Sequence, residues 1–269
     1  MLVCLNRIEH PVVMNKNIVL EHSTVILTES GAEPGHEILA VEKPYTVALN
    51  DKDIGTAMVL ETGLEEFGAG FLFGQGYVER PGQVREVLVC SEGRILVHAD
   101  VDEDIKPREV IITSGCGGTG KISREMLEGK IAPLQEYTLS LQDAGVFIRQ
   151  VLHASDLGAK THGVHGCGLW TAGKLQVFFE DLGRHNAVDK VIGAILMGRA
   201  SARSAVYTTG RLTSDMVLKC ARIGIPIVMS RTSASSLALA IARRAGMTLI
   251  CYARPGRLNV YNNPERILL

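Results

Sequence analysis

Apolar and polar positions alternate with a period of two through the first quarter of the chain, and the last third repeats short apolar runs separated by helical spacing. Ile18 and Leu20, Val25 and Leu27, and then Tyr45, Val47 and Leu49 have the pattern of strands. Asn50-Asp51-Lys52-Asp53 reads as a turn, so residues 45–49 and 54–60 are expected to pair as a hairpin. Thr62-Gly-Leu-Glu65 has the form of a capping box, in which hydroxyl and carboxylate each satisfy an orphan backbone donor, and it predicts a helix. Leu64, Phe67, Phe71 and Leu72 share one face of that helix, and Gly74-Gln75-Gly76 ends it. Residues 84–89 and 94–99 form a second expected hairpin around Ser91-Glu92-Gly93. The acidic, solvated connection Asp102-Glu-Asp104 then leads to the apolar run Val110-Ile111-Ile112.

After Pro133 helices and strands alternate. Ser140-Leu-Gln-Asp143 is a helix start, predicting a helix to about His153 with Val146, Phe147, Gln150 and Val151 toward the core. Residues 163–170 and 175–179 suit a strand pair around Ala172-Gly173-Lys174, and a helix with Val188, Val191, Ile192 and Ile195 on its apolar face follows. The remainder reads strand 205–209, helix 213–223, strand 226–230, helix 234–245, strand 248–252. Two β-α-β units in series require parallel strands, so three strand ends open on one edge of a sheet.

Length and charge narrow the function classes. A chain of 269 residues, 46% hydrophobic, suits two compact units, and a formal net charge of -1 gives no general attraction for nucleic acid or an anionic membrane. The start Met1-Leu2-Val3-Cys4-Leu5 lacks the basic and apolar regions of a secretory signal, and no apolar run approaches the ~20 residues of a membrane span, so a cytoplasmic protein is expected. The six cysteines, 4, 90, 116, 167, 220 and 251, contain no C-x-x-C pair and are expected to be thiols, five of them in core-like surroundings. Thr161-His162-Gly-Val-His165 places two histidines three apart, but the zinc deaminase signature is missing and no bound metal is expected.

Cys116 is the exception. In Thr113-Ser114-Gly115-Cys116-Gly117-Gly118-Thr119-Gly120-Lys121 four glycines surround one thiol and offer little to bury it. Gly115 to Lys121 also spells the phosphate-loop pattern, the basis of an alternative reading as a nucleotide hydrolase. Ile122, however, stands where Ser or Thr would meet Mg²⁺.

Two further places carry candidate chemistry. Glu180-Asp181-Leu-Gly-Arg184-His185-Asn-Ala-Val-Asp189-Lys190 is open to two readings: a capped helix with a solvated charged face, or functional groups at a strand-to-helix turn. The loops after the last three strands hold Arg211, then Arg231, then Arg254 and Arg257, with hydroxyls and helix N-termini alongside. That combination suits phosphate, with Tyr252 able to stack on a base.

The chain resembles the FdhD/NarQ family of formate dehydrogenase accessory sulfurtransferases. The resemblance rests on Glu42-Lys-Pro-Tyr-Thr-Val, Leu64-Glu-Glu-Phe-Gly-Ala-Gly-Phe-Leu-Phe, the cysteine loop, the 180–190 segment and Arg254-Pro-Gly-Arg. It implies an α/β protein: a strand-rich α+β domain over residues 1–130, then a three-layer α/β/α domain over 131–269 like the cytidine deaminase fold without zinc, usually as a homodimer. It also implies a function, in which a cysteine desulfurase loads a persulfide on Cys116. The sulfur then passes to the molybdenum or tungsten bis(guanine dinucleotide) cofactor, bound as substrate for apo-formate dehydrogenase. Cofactor binding would fall to Tyr252, Ala253, Arg254, Pro255, Gly256 and Arg257, with Lys121, Asp181, Arg184, His185, Arg211 and Arg231 as further candidates. The family's second loop cysteine is Thr119 here, which keeps open a non-catalytic cofactor chaperone.

Overall fold

A computed structural model describes residues 18–101, 110–112 and 121–269. Cys116 and its glycine-rich loop, the connection 102–104 and residues 1–5 lie outside the described residues, and so does the side chain of Lys121.

The first half gives β1 (Val19–Thr28), β2 (Gly31–Ala40), β3 (Glu42–Leu49), β4 (Lys52–Leu60), α1 (Leu64–Gly74), β5 (Val84–Cys90), β6 (Arg94–Ala99), β7 (Val110–Ile112), β8 (Lys121–Ser123) and α2 (Arg124–Glu128). Both expected hairpins are present: β3–β4 turns through Asn50 and Asp51, each at positive φ, and β5 pairs with β6. The four strands form one sheet ordered β4-β3-β6-β5.

The helix after β4 forms, but without the capping box. Gly63, at φ 59°, is its N-cap residue, and no side chain caps it. Glu65 instead pairs with Arg199. Because the left-handed N-cap is shifted one residue past Thr62, the hydroxyl is not where the box needs it.

The second half gives β9 (Leu139–Ser140), α3 (Leu141–Ala154), α4 (Asp156–Thr161), β10 (His165–Thr171), β11 (Lys174–Asp181), α5 (Arg184–Leu196), β12 (Ala205–Thr208), α6 (Ser214–Ile223), β13 (Ile227–Ser230), α7 (Ser236–Ala245), β14 (Thr248–Arg254), β15 (Arg257–Val260) and β16 (Ile267–Leu268). Ser140 caps α3, accepting from the Asp143 N–H. The core face of α3 uses Phe147, Ile148 and Val151, while Gln150 is exposed, a correction that follows from Ile148 occupying the inward position.

A six-stranded sheet is ordered β11-β10-β12-β13-β14-β15, with β12, β13 and β14 parallel and β10 antiparallel to both its neighbours. Alternate residues face opposite layers. Trp170, Tyr207, Ile227, Met229 and Ile250 pack with α3, while Leu169, Val206, Val228 and Leu249 join the core that holds α5, α6 and α7. Three layers result.

That second core continues across α5 into α1 and the four-stranded sheet, as Val47, Phe67, Phe71 and Ile95 belong to it. Two glycines let α1 and α5 meet backbone to backbone: a Cβ on Gly70 would lie 1.8 Å from the Asp189 carbonyl oxygen, and one on Gly193 1.8 Å from that of Glu66. The helix carrying the charged segment 181–190 is thus wedged between the two sheets.

Candidate functional site

Since β10 runs against both β11 and β12, strands β11, β12, β13 and β14 point the same way, and their carboxyl ends share one edge. Asp181, Thr208, Ser230 and Arg254 end those strands. Open sheets of this kind bind ligands beyond that edge.

The loops leaving the edge are tied into a single ledge. The Arg231 N–H donates to the Thr208 carbonyl (3.1 Å), the Ser230 hydroxyl to the Gly210 carbonyl (2.7 Å) and the Tyr252 N–H to the Thr232 carbonyl (2.9 Å). Arg254 Nη1 donates to the carbonyls of Arg231 (2.7 Å) and Ala253 (2.9 Å). Arg211, Arg231, Arg254 and Arg257 are all exposed on this ledge.

Residues 252–257 form a hairpin tip. Arg254 pairs with Arg257 across a Pro255-Gly256 turn in which Gly256 adopts φ 79°. Directly paired residues of an antiparallel ladder project from the same face at about 5 Å, and like charges so placed repel. An anion between the two guanidinium groups would relieve that repulsion, and phosphate matches their donors. Tyr252, at φ 49°, is exposed beside them, and Ala253 is buried.

The segment 181–190 lies at the start of α5, and the structure overturns the solvated charged face. Asp181, His185, Asp189 and Lys190 are buried, not solvated. Each has a specific partner: Lys190 Nζ meets Asp181 Oδ2 at 2.7 Å, Lys219 Nζ meets Asp189 Oδ1 at 2.8 Å, and His185 Nε2 meets Asp215 Oδ2 at 2.5 Å. Asp181 does not cap the helix through a first-turn backbone N–H. Its Oδ1 accepts from Gly183 N–H and Asn186 Nδ2, and its Oδ2 from Leu60 N–H on β4.

Burial and charge pull these groups in opposite directions. Burial pushes the Asp189 carboxyl up to about 6 despite Lys219, and pushes the Lys190 ammonium down despite Asp181. Burial would also raise Asp215, yet the hydrogen bond and charge of His185, with Thr213 and Lys219, hold it well below the usual carboxylate range. These three pairs join β4, α5, β11 and α6 into one frame.

Arg184 lines a cleft of about 420 Å³ together with Glu42, Met58, His165 and His185. Its aliphatic stem packs on Gly210, where a Cβ would lie 2.7 Å from Arg184 Cβ, so the cleft adjoins the ledge. His165, noted in the sequence only for its spacing from His162, is the residue that local reasoning missed. It begins β10 beside Thr209, with Nδ1 3.3 Å from the Thr209 hydroxyl. Its position at the start of a strand antiparallel to β11, β12, β13 and β14 is the signal that sets it on the carboxyl edge.

The three buried thiols among the described residues are poor nucleophiles. Burial raises Cys167 well above the ordinary thiol range, Cys220 to about 12 and Cys251 to about 11. Cys90 is half-buried on β5.

The FdhD/NarQ family profile matches residues 40–268. The sulfur carrier protein FdhD of Sulfolobus acidocaldarius is 31% identical over 237 residues, 86% of this chain and 91% of that protein. Its namesake in Staphylococcus aureus strain MRSA252 is 26% identical over 263 residues, 95% of this chain and 98% of that protein. A crystal structure from Desulfotalea psychrophila, described as a formate dehydrogenase accessory protein, superimposes with a TM-score of 0.84 at 56% identity, covering 93% of this chain and all of that one.

Proposed function

The chain belongs to the FdhD/NarQ family, and from that premise we propose that it is a sulfur carrier that accepts sulfur on Cys116 from a cysteine desulfurase. It passes that sulfur to a molybdenum or tungsten bis(guanine dinucleotide) cofactor destined for apo-formate dehydrogenase. The observation that carries the acceptor side is the Arg254–Arg257 pair on the hairpin tip, with Arg211 and Arg231 on the same ledge. Exposed Tyr252 offers a ring for the guanine base.

A thiolate attacks the outer sulfur of a donor persulfide, forms a new S–S bond and releases the donor thiolate. Attack on the outer sulfur of Cys116 by a nucleophile of the acceptor, or by a reductant, releases the Cys116 thiolate again. With Thr119 in place of a second loop cysteine, no disulfide within the loop can take part.

Activation of apo-formate dehydrogenase in the presence of cofactor, desulfurase and cysteine tests this reading. The wild-type chain should activate the enzyme and Cys116→Ser should not. Equal activation by the variant would favour a chaperone that carries the cofactor without sulfur chemistry.

A further inference from the structure

We propose that the cleft between β4 and the start of α5 is a second anion site, separate from the Arg254–Arg257 pair, and that it takes a phosphate group through Arg184 and His165. Nε and Nη2 of Arg184 are shielded from solvent and meet no acceptor among the described residues. Shielded N–H groups of a cation that lack acceptors are costly, so a side chain held this way is matched to an anion.

Burial lowers the His165 pKa first, Arg184, His185 and Arg211 lower it further, and Asp181 acts the other way. An imidazole so placed is neutral near pH 7. The Thr209 hydroxyl accepts from Gly166 N–H at 3.1 Å and lies 3.3 Å from His165 Nδ1. His165 lines the cleft, and in the tautomer with its proton on Nε2 the ring is a donor there. No side chain caps α5, whose first turn contributes Gly183, Arg184, His185 and Asn186 to the lining. Glu42 is the opposing carboxylate, and it is exposed at the rim, where solvent screens it.

The position along the edge suggests how the two sites cooperate. The end of β14 and the start of β10 are separated by β13 and β12, three strand spacings or about 14 Å. A nucleotide anchored on the hairpin tip can lay a remote anionic group in the cleft, and inorganic phosphate can occupy it alone. The inference stands whether or not Cys116 carries sulfur.

Phosphorus NMR titration with inorganic phosphate, with and without saturating GDP, tests it on the full chain. Arg184→Gln should weaken phosphate binding about tenfold or more, the loss of one charge-assisted contact. Arg184→Lys should recover part of it, and Arg257→Ala should leave the cleft's phosphate site intact while weakening GDP. If GDP displaces the phosphate and Arg184→Gln weakens GDP equally, the group bound in the cleft is the nucleotide's own phosphate and the site stands. Wild-type affinities for both probes in a folded Arg184→Gln protein would overturn the proposal.

Discussion

At the scale of single residues, Arg254 and Arg257 share one hairpin rung but differ in what else they do. Arg254 also holds the loop after β13 by its contact with the Arg231 carbonyl, so its removal loosens the ledge as well as deleting a charge. Arg257 is the cleaner probe. Arg257→Ala is expected to weaken GDP binding by one to two decades, from roughly 1.5–3 kcal/mol per charge-assisted contact, with the melting temperature nearly unchanged; calorimetry and thermal unfolding check both halves. The buried pairs behave differently, because deleting one partner strands a charge in the core. Lys190→Met leaves Asp181 without its cation and should cost about 3–5 kcal/mol by urea unfolding. Nothing local in the sequence shows this, since the partners of His185 and Asp189 are Asp215 and Lys219, some thirty residues downstream on α6. The charges of 181–190 were legible as unusual, but their burial was not.

At the scale of elements, the last third of the chain was the most legible part. Its strands are short apolar runs, and Gly224 and Gly246 stop α6 and α7 in left-handed conformations, as terminal glycines do. The capping box at Thr62 failed because the chain enters α1 through Gly63, and β15 was missed because residues 252–257 read as an open loop when they fold back on β14. The contact between α1 and α5 depends on Gly70 and Gly193, each under the other helix's backbone. Neither neighbour is a movable side chain, so Gly70→Ala or Gly193→Ala must separate the helices. Overpacking costs typically 1–3 kcal/mol, and contacts this short belong at the upper end or above it. A melting temperature equal to wild type in either variant would show that the helices do not pack this way.

The same frame sets an acid response. A carboxyl whose folded pKa is depressed stabilises above its unfolded value and loses that contribution as pH falls, which is the sense of Asp215. Asp189 has the opposite sense: raised by burial to about 6, it lowers stability as pH rises from ~4 toward 6. His185→Gln removes the group that holds Asp215 down. Stability followed by urea unfolding should therefore fall less steeply below pH ~4 in the variant than in wild type. An unchanged acid limb would mean that another group holds the Asp215 proton affinity low.

At the scale of the molecule, one core runs from the four-stranded sheet through α1 and α5 to the six-stranded sheet. The ledge and the cleft both lie where the carboxyl ends of its strands meet that frame, which places the proposed anion sites against the core. Cys116 follows β7 and precedes β8 in the chain, and the central claim is that this thiol takes up sulfur independently of the nucleotide ledge. Mass spectrometry of the wild-type chain, Cys116→Ser and Arg257→Ala after incubation with a cysteine desulfurase and cysteine tests that claim most directly. One added sulfur is expected on Cys116 in the wild type and in Arg257→Ala, and none in Cys116→Ser; sulfur undiminished in Cys116→Ser, or absent from the wild type, would show that Cys116 is not the carrier.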